Sequence, residues 1–99
     1  MDIAEVAYFS SEGGITFLVC KTGNQYALES SLDNLASELD PLQFFRINRQ
    51  FLVSLQSIAQ VHIFPKSCLK LDLKPAPAEG IFVSLDRVTD FKKWLDGAN

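Results

Sequence analysis

The chain has 99 residues, enough for one domain with a single modest core, and 47% of them are hydrophobic, which excludes a disordered polypeptide. The longest apolar stretch, residues 15–20, is far too short to cross a bilayer, and the N-terminus lacks the features of a signal peptide, so we expect a cytoplasmic protein with no membrane partner. Nine basic and twelve acidic residues give a net charge of −3, so a basic face would be a local feature of an acidic domain.

The first third of the chain has the pattern of short antiparallel strands. Residues 3–9 alternate apolar with small or polar side chains, and the Ser/Gly-rich residues 10–14 predict a turn. Residues 15–21 are rich in β-branched and aromatic side chains, and residues 22–24 predict a tight turn into a strand over 25–28. We therefore expect a strand followed by a hairpin.

A short helix is predicted next. Either Ser30 or Ser31 is suited to be its N-cap, and Ser30 with Asp33 approximates a capping box. An apolar stripe at helical spacing indicates a helix that covers a sheet; its members are Leu32, Leu35 and Leu39. The helix should end at Asp40, because the residue before Pro41 is disfavoured in the helical conformation.

The second half returns to strand patterns. Strands are predicted over residues 44–47, 51–54, 58–64, 69–73 and 80–83. In residues 69–74 leucine alternates strictly with charged residues, as expected for a strand with one face in water. Residues 65–67 and 75–80 connect these strands, and the second connection is long enough to be mobile.

A final helix is predicted from the N-cap Ser84 to Gly97. Its expected core-facing stripe consists of Leu85, Val88, Phe91 and Leu95. We expect Trp94 to lie either at the border of the core or on a surface that binds a partner. The order of elements predicts a mostly β, antiparallel domain with two short helices.

The sequence contains no recognisable catalytic or metal-binding motif. His62, the one histidine, lies in an apolar strand, where a packed or sheet-edge position is the usual one. Cys20 and Cys68 lack a spacing motif and are best explained as reduced, partly buried thiols. Gly13-Gly14 leads into a strand and not into a phosphate-binding helix. We therefore expect no enzymatic activity, no metal, no cofactor and no small-molecule substrate.

Residues 44–53 are the most informative segment. Arg46, Asn48 and Arg49 lie between aromatic and aliphatic residues that anchor the backbone, so that polar side chains project from a fixed base. Arginine pairs with guanine and asparagine with adenine in the major groove of DNA. The alternative is a strand whose outward face happens to be basic.

The same segment resembles the most recognisable stretch of the LytTR family, a Phe-x-Arg-Ile/Val-His-Arg-Ser-Tyr/Phe-Ile/Leu-Val pattern followed by an Ile. The matching residues are Phe44 or Phe45, Arg46, Ile47, Arg49, Phe51, Leu52, Val53 and Ile58. Three further segments, residues 3–12, 31–35 and 82–84, are similar to the family's opening strand, first helix and Val-Ser-Arg turn. The resemblance thus extends over nearly the whole chain.

This resemblance implies an elongated antiparallel β sandwich with two helices that binds double-stranded DNA through loops. It implies two copies on a direct repeat, as a homodimer on DNA, and a role as output domain of a bacterial two-component transcriptional regulator. Residues 1–99 would then be one domain, excised from a longer regulator and lacking the family's first strand.

By position, the resemblance assigns DNA contact to Gly13 and Gly14 in the turn over 10–14, to residues 48–50, and to the turn over 84–87. We expect Asn48 and Arg49 to contact bases, Gln50 to lie beside them, and Arg87 to contact a base or a phosphate. Arg46 and Lys66 would contact the DNA backbone, unless Arg46 forms an ion pair on its strand.

Three positions depart from the family pattern. Asn48 replaces its His, Gln50 its Ser, and Leu85 the Arg that follows its Ser. Together with the negative net charge, Leu85 favours an alternative, a protein-interaction module that has lost DNA contact. A third possibility, a small β domain that binds an apolar ligand, rests on the eight phenylalanines alone.

Overall fold

The computed structural model describes residues 3–75 and 80–97. In these ranges the chain forms eight strands and two α-helices, with short 3-10 turns over Ile3–Glu5, Leu55–Ser57 and Leu85–Arg87. The strands are β1 (Val6–Glu12), β2 (Ile15–Cys20), β3 (Gln25–Leu28), β4 (Phe44–Arg46), β5 (Phe51–Ser54), β6 (Ile58–Phe64), β7 (Cys68–Leu73) and β8 (Ile81–Phe82), and the helices are α1 (Leu32–Glu38) and α2 (Val88–Leu95).

The strands form two antiparallel sheets. The larger has five strands in the order β3-β2-β1-β5-β4, and the smaller has three in the order β6-β7-β8. The molecule measures 36 × 30 × 23 Å. The predicted fold class, a mostly β, antiparallel domain with two short helices, is confirmed.

Two apolar cores lie on opposite faces of the five-stranded sheet. The first joins that sheet to the smaller sheet and to α2, and its fully buried members include Ile47, Leu71 and Phe91. The second lies beneath α1, where Leu32 packs with Phe9 and Phe44. The five-stranded sheet is therefore covered on both faces.

The prediction for the first strand was wrong in its boundaries. β1 begins at Val6 and continues through Ser10 and Ser11 to Glu12, so that the turn contains Gly13 and Gly14 alone. Serines favour turns locally, but β1 is a central strand that pairs with both β2 and β5, and these backbone hydrogen bonds override the local preference. The register between β1 and β2 is irregular between Val6 and Tyr8. At this point two consecutive residues, Ala7 and Tyr8, both lie in the first core.

The helix α1 begins after Ser31, the second of the two predicted caps, whose hydroxyl oxygen accepts a hydrogen bond from the Asn34 amide at 3.1 Å. It ends at Glu38, just before the predicted stop at Asp40-Pro41. In the smaller sheet, the leucines of β7 are buried and its charged residues are half-buried, as the alternation predicted.

The C-terminal helix starts later than predicted. A 3-10 turn over Leu85–Arg87 precedes α2, and the Ser84 hydroxyl makes no cap hydrogen bond. The buried residues of α2 are Val88, Phe91 and Trp94, so Trp94 belongs to the core. Leu85 is 69% exposed, and its predicted core position was wrong, because the tighter 3-10 turn rotates it off the helical stripe.

The long connection predicted over residues 75–80 falls largely outside the described residues, at 76–79. In the described part of the chain, no helix has the length and apolarity needed to cross a membrane.

Candidate nucleic-acid interface

The loop over residues 48–50 joins the predicted reading segment to β5 and is closed around the side chain of Asn48. The Asn48 Oδ1 atom accepts hydrogen bonds from the backbone amides of Gln50 at 2.7 Å and Phe51 at 2.9 Å. Its Nδ2 atom donates to the carbonyl of Phe82 at 2.8 Å, which ties the loop to the smaller sheet. The side-chain amide of Asn48, which is predicted to contact a base, is thus hydrogen-bonded to the protein backbone and holds the loop in place.

Arg46 holds the same loop from the other side. Its Nε donates to the Asn48 carbonyl and its Nη2 to the Arg49 carbonyl, both at 2.8 Å. Its Nη1 pairs with the carboxylate of Asp33 on α1. The Arg46 side chain is only 16% exposed, so its guanidinium acts chiefly within the protein. The ion pair, one of the two roles predicted for Arg46, is present in this structure, and contact of Arg46 with DNA stays a prediction.

The turn over residues 84–87 packs directly against this segment. The Ser84 amide donates to the Ile47 carbonyl at 2.8 Å, and the Arg87 amide donates to the Ser84 carbonyl at 2.8 Å. The exposed Arg87 side chain then reaches the Arg46 carbonyl, with an Nη1–O distance of 3.3 Å. The chain's three arginines, at 46, 49 and 87, are therefore linked through hydrogen bonds to one another's backbone.

The β1–β2 turn lies at the same edge. Gly13 and Gly14 have φ angles of +58° and +81°, a left-handed pair that suits a two-residue hairpin and favours glycine at both positions. Next to it, the Ser11 amide donates to the Gln50 carbonyl at 2.8 Å. Gly14 and Arg49 both line a surface depression of about 260 Å³.

Lys66 lies in the β6–β7 turn, where it and Ser67 adopt left-handed conformations with φ angles of 66° and 61°. A hydrogen bond of 3.0 Å from the Val83 amide to the Leu69 carbonyl brings the start of β7 beside the residues that precede the 84–87 turn. The turn with the exposed Lys66 thus lies at the same end of the smaller sheet as the 84–87 turn.

Four connections therefore meet at one edge of the domain: the turn at 13–14, the loop over 48–50, the turn at 65–67 and the turn over 84–87. We call this surface the loop edge. The side chains of Arg49 and Gln50 are exposed there and form no hydrogen bond or ion pair with other described residues. They are available to an external partner.

Acidic side chains also lie near the loop edge. Glu29 and Asp33 line the depression that contains Arg49 and Gly14, and Asp86 follows Leu85 in the 84–87 turn. Sequence analysis missed the role of Asp33, because it lies on a different element from Arg46 and 13 residues before it. No local pattern links the two positions.

Within the described part of the chain, the remaining chemistry-bearing residues form no second recognisable site. His62, on the edge strand β6, pairs with Asp72 at 2.7 Å, and the thiols of Cys20 and Cys68 are not joined to each other. Among residues 3–75 and 80–97, no three His, Cys, Asp or Glu side chains are grouped so that they could hold a metal ion.

A second, larger cleft of about 720 Å³ opens between the two sheets. Its lining is more polar than apolar: Tyr8, Phe51 and Ile81 contribute apolar surface, and Asn48 and Gln50 line it next to the loop edge. Nothing in the sequence pattern predicted this cleft, because it depends on how the two sheets separate.

Comparisons with known proteins agree with this architecture. A solved structure from Bacillus cereus, assigned to the LytTr DNA-binding domain of a methyl-accepting/DNA response regulator, superposes with a TM-score of 0.83 at 21% sequence identity. The match covers 96% of this chain and 84% of the Bacillus chain, and at that identity it establishes the fold. No curated protein matches the chain significantly in sequence. The family model of the LytTr DNA-binding domain matches residues 1–96. The chain therefore belongs to the LytTr DNA-binding domain family, which is not a family of enzymes.

Proposed function

We propose that the loop edge binds double-stranded DNA sequence-specifically and that the domain is the output module of a bacterial two-component transcriptional regulator. Family membership supports DNA binding, and the Bacillus cereus structure of the same fold is assigned to a response regulator. In this proposal residues 1–99 are one domain of a longer cytoplasmic protein, and the signal reaches the domain from elsewhere in that protein.

One observation carries the proposal: all three arginines of an acidic domain meet at a single edge. Hydrogen bonds from Arg87 to the Arg46 carbonyl, and from Arg46 to the Arg49 carbonyl, connect them. Clustering places three guanidinium groups at one edge of a domain whose net charge is −3. Guanidinium groups suit both phosphates and the edge of guanine.

The exposed side chains at the loop edge have a different role in this proposal from the side chains that are hydrogen-bonded within the protein. Arg49 and Gln50 would contact bases, because their side chains are exposed and unpaired within the described chain. Arg87 would contact a base or a phosphate, and Lys66 a phosphate. Asn48 and Arg46 would hold the loop in position, and the backbone of Gly13 and Gly14 would allow DNA to approach closely.

We further propose that two copies bind a direct repeat as a homodimer on DNA. One domain presents a single loop edge, which would span only a short segment of the duplex. Two linked copies would extend the contact and combine the binding free energies of two half-sites. No small-molecule substrate and no cofactor takes part in this mechanism.

Binding to random-sequence duplex DNA at ~50 mM and ~200 mM salt tests the proposal. Affinity should fall roughly 10- to 100-fold between the two conditions, because the exposed arginines and Lys66 displace counterions from phosphates. Replacement of Arg49 by Ala should relax sequence preference, whereas replacement of Lys66 by Ala should weaken binding to all sequences alike. An affinity that is absent, or independent of salt, would refute DNA binding.

A second function, protein interaction without DNA, has one observation in its favour. Phe64 and Phe82, 44% and 49% exposed, pack with ring centroids 6.4 Å apart on the smaller sheet. Such exposed aromatic pairs occur at protein interfaces. Sedimentation of the DNA-free domain at several protein concentrations tests this function. Self-association that is lost in Phe64→Ser would support it, and a monomer at all concentrations would argue against a contact between two copies.

A further inference from the structure

Leu85 is a large apolar side chain that the fold leaves in solvent at the loop edge. It is 69% exposed and is the first residue of the 3-10 turn that links Ser84 to Arg87. Its neighbours in the core, Val83 and Val88, are 3% and 4% exposed. The exposure of Leu85 is thus set by the turn and not by a generally loose segment.

The backbone around Leu85 is held in place. The Ser84 amide donates to the Ile47 carbonyl, the Arg87 amide donates to the Ser84 carbonyl, and the Val88 amide donates to the carbonyl of Leu85 itself. A side chain that projects from such a turn meets a partner without first ordering its backbone. This arrangement suits a residue that contributes to recognition.

The surroundings of Leu85 indicate which part of a duplex it would meet. Arg87, two residues later, contacts the Arg46 carbonyl and connects the turn to the arginine cluster. Leu85 has no group that binds a phosphate, and the adjacent Asp86 carboxylate repels one. This part of the loop edge is therefore better suited to the floor of a groove than to the phosphate backbone. The apolar group that a base edge presents in the major groove is the C5-methyl group of thymine.

We propose that Leu85 packs against the methyl group of a thymine and makes the domain prefer thymine at one position of its binding site. This inference rests on the DNA-binding function proposed above. It assigns to the 84–87 turn a specificity element that acts through apolar contact, beside the hydrogen-bonding contacts of Arg49 and Gln50.

Uracil substitution tests the inference, because deoxyuridine differs from thymidine only by the missing methyl group. Duplexes selected by the wild-type domain from a random-sequence library are resynthesised with uracil at one thymine at a time. The wild-type affinity should fall about fourfold at one position, the value expected for one buried methyl group. Leu85→Ala should bind the thymine and uracil duplexes equally, whereas Leu85→Met should keep the preference.

Leu42 provides a matched control. It is a leucine of similar exposure, 65%, in the turn before β4, whereas the loop edge follows the other end of that strand. Leu42→Ala should keep the full sensitivity to uracil.

The outcomes separate this inference from the proposed function. Wild-type binding that tolerates uracil at every thymine, or an undiminished uracil effect in Leu85→Ala, would overturn the role of Leu85 and leave DNA binding intact. A wild-type domain that enriches no duplex at all would contradict the proposed function, and this inference with it.

Discussion

Arg46 and Asp33 form an ion pair that links the helix α1 to the loop edge. The remaining guanidinium nitrogens of Arg46 donate to the carbonyls of Asn48 and Arg49, so that one side chain connects an acidic helix to the backbone of the reading loop. The Asp33 side chain is 90% exposed, and its contribution to stability is small for that reason. We expect the ion pair to affect DNA binding instead.

Asp33→Asn should change affinity and specificity in opposite directions. Removal of a negative charge beside the arginines should strengthen binding to random duplex DNA, and loss of the ion pair should loosen the loop and reduce the preference for the selected site. The ratio of the two affinities is the measurement. A neutral substitution of Glu38, at the other end of α1, is the control. Unchanged affinities in Asp33→Asn would show that Asp33 has no influence on the loop edge.

Asn48 is expected to be the main structural support of the loop over 48–50. Asn48→Ala removes three hydrogen bonds and should destabilise the domain by about 2 kcal/mol, measured by urea denaturation. Asn48→Asp keeps the oxygen that accepts from Gln50 and Phe51 but loses the donor to Phe82. It should therefore retain slow hydrogen exchange at the Gln50 and Phe51 amides, which Asn48→Ala loses. Equal exchange rates in both variants would contradict this role.

Tyr8 should make stability depend on pH in the alkaline range. Burial raises the pKa of its hydroxyl above the ordinary value of 10.0, because the folded state favours the neutral phenol. The stabilisation is complete below the unfolded pKa and is lost as the pH rises through the raised folded value. The hydroxyl also donates to the Pro75 carbonyl at 3.0 Å.

Tyr8→Phe should therefore cost about 1 kcal/mol of unfolding free energy at neutral pH, through the lost hydrogen bond. This deficit should shrink at roughly pH 11, where only the wild type is weakened by ionisation of the phenol. Urea titrations at the two pH values measure it, and a Tyr26→Phe background leaves Tyr8 as the one tyrosine for absorbance titration. A deficit of the same size at both pH values would contradict the expected linkage.

Much of the fold could be predicted where the pattern of side chains matches the final environment. The alternation in residues 69–73 specified a half-buried strand, and Leu69, Leu71 and Leu73 are indeed the buried residues of β7. The turn over residues 22–24 and the apolar stripe of α1 were recognisable for the same reason: each is encoded within a few residues.

The errors arose where distant contacts decide. Ser10 and Ser11 have a turn-like local preference, yet they lie in a strand because β2 and β5 flank it. Leu85 has the spacing of a helical apolar stripe, but it lies in the 3-10 turn that precedes the helix, and its side chain is exposed.

The candidate site was predictable in part. The three arginines were identified in advance, and the likeness to the family indicated which loops to consider together. The engagement of Asn48 with Phe82, and of Arg46 with Asp33, could not be foreseen, since the partners lie 34 and 13 residues away on other elements. Whether a polar side chain at the loop edge is exposed or hydrogen-bonded within the protein depends on the tertiary structure and is not encoded in the local sequence.

The claim that a shared arginine edge binds DNA is tested most directly by the salt dependence of variants. Fluorescence anisotropy with a random-sequence duplex gives the slope of log K against log salt for the wild type, Arg49→Ala, Arg87→Ala and Lys21→Ala. Lys21 is the control, because its ammonium binds Gln56 and its backbone joins Glu5, away from the loop edge. We predict that replacement of an arginine that contacts a phosphate reduces the magnitude of the slope by about 1. Both arginine variants should weaken binding, and Lys21→Ala should change neither the affinity nor the slope. Equal affinities and slopes for all four proteins would contradict the account.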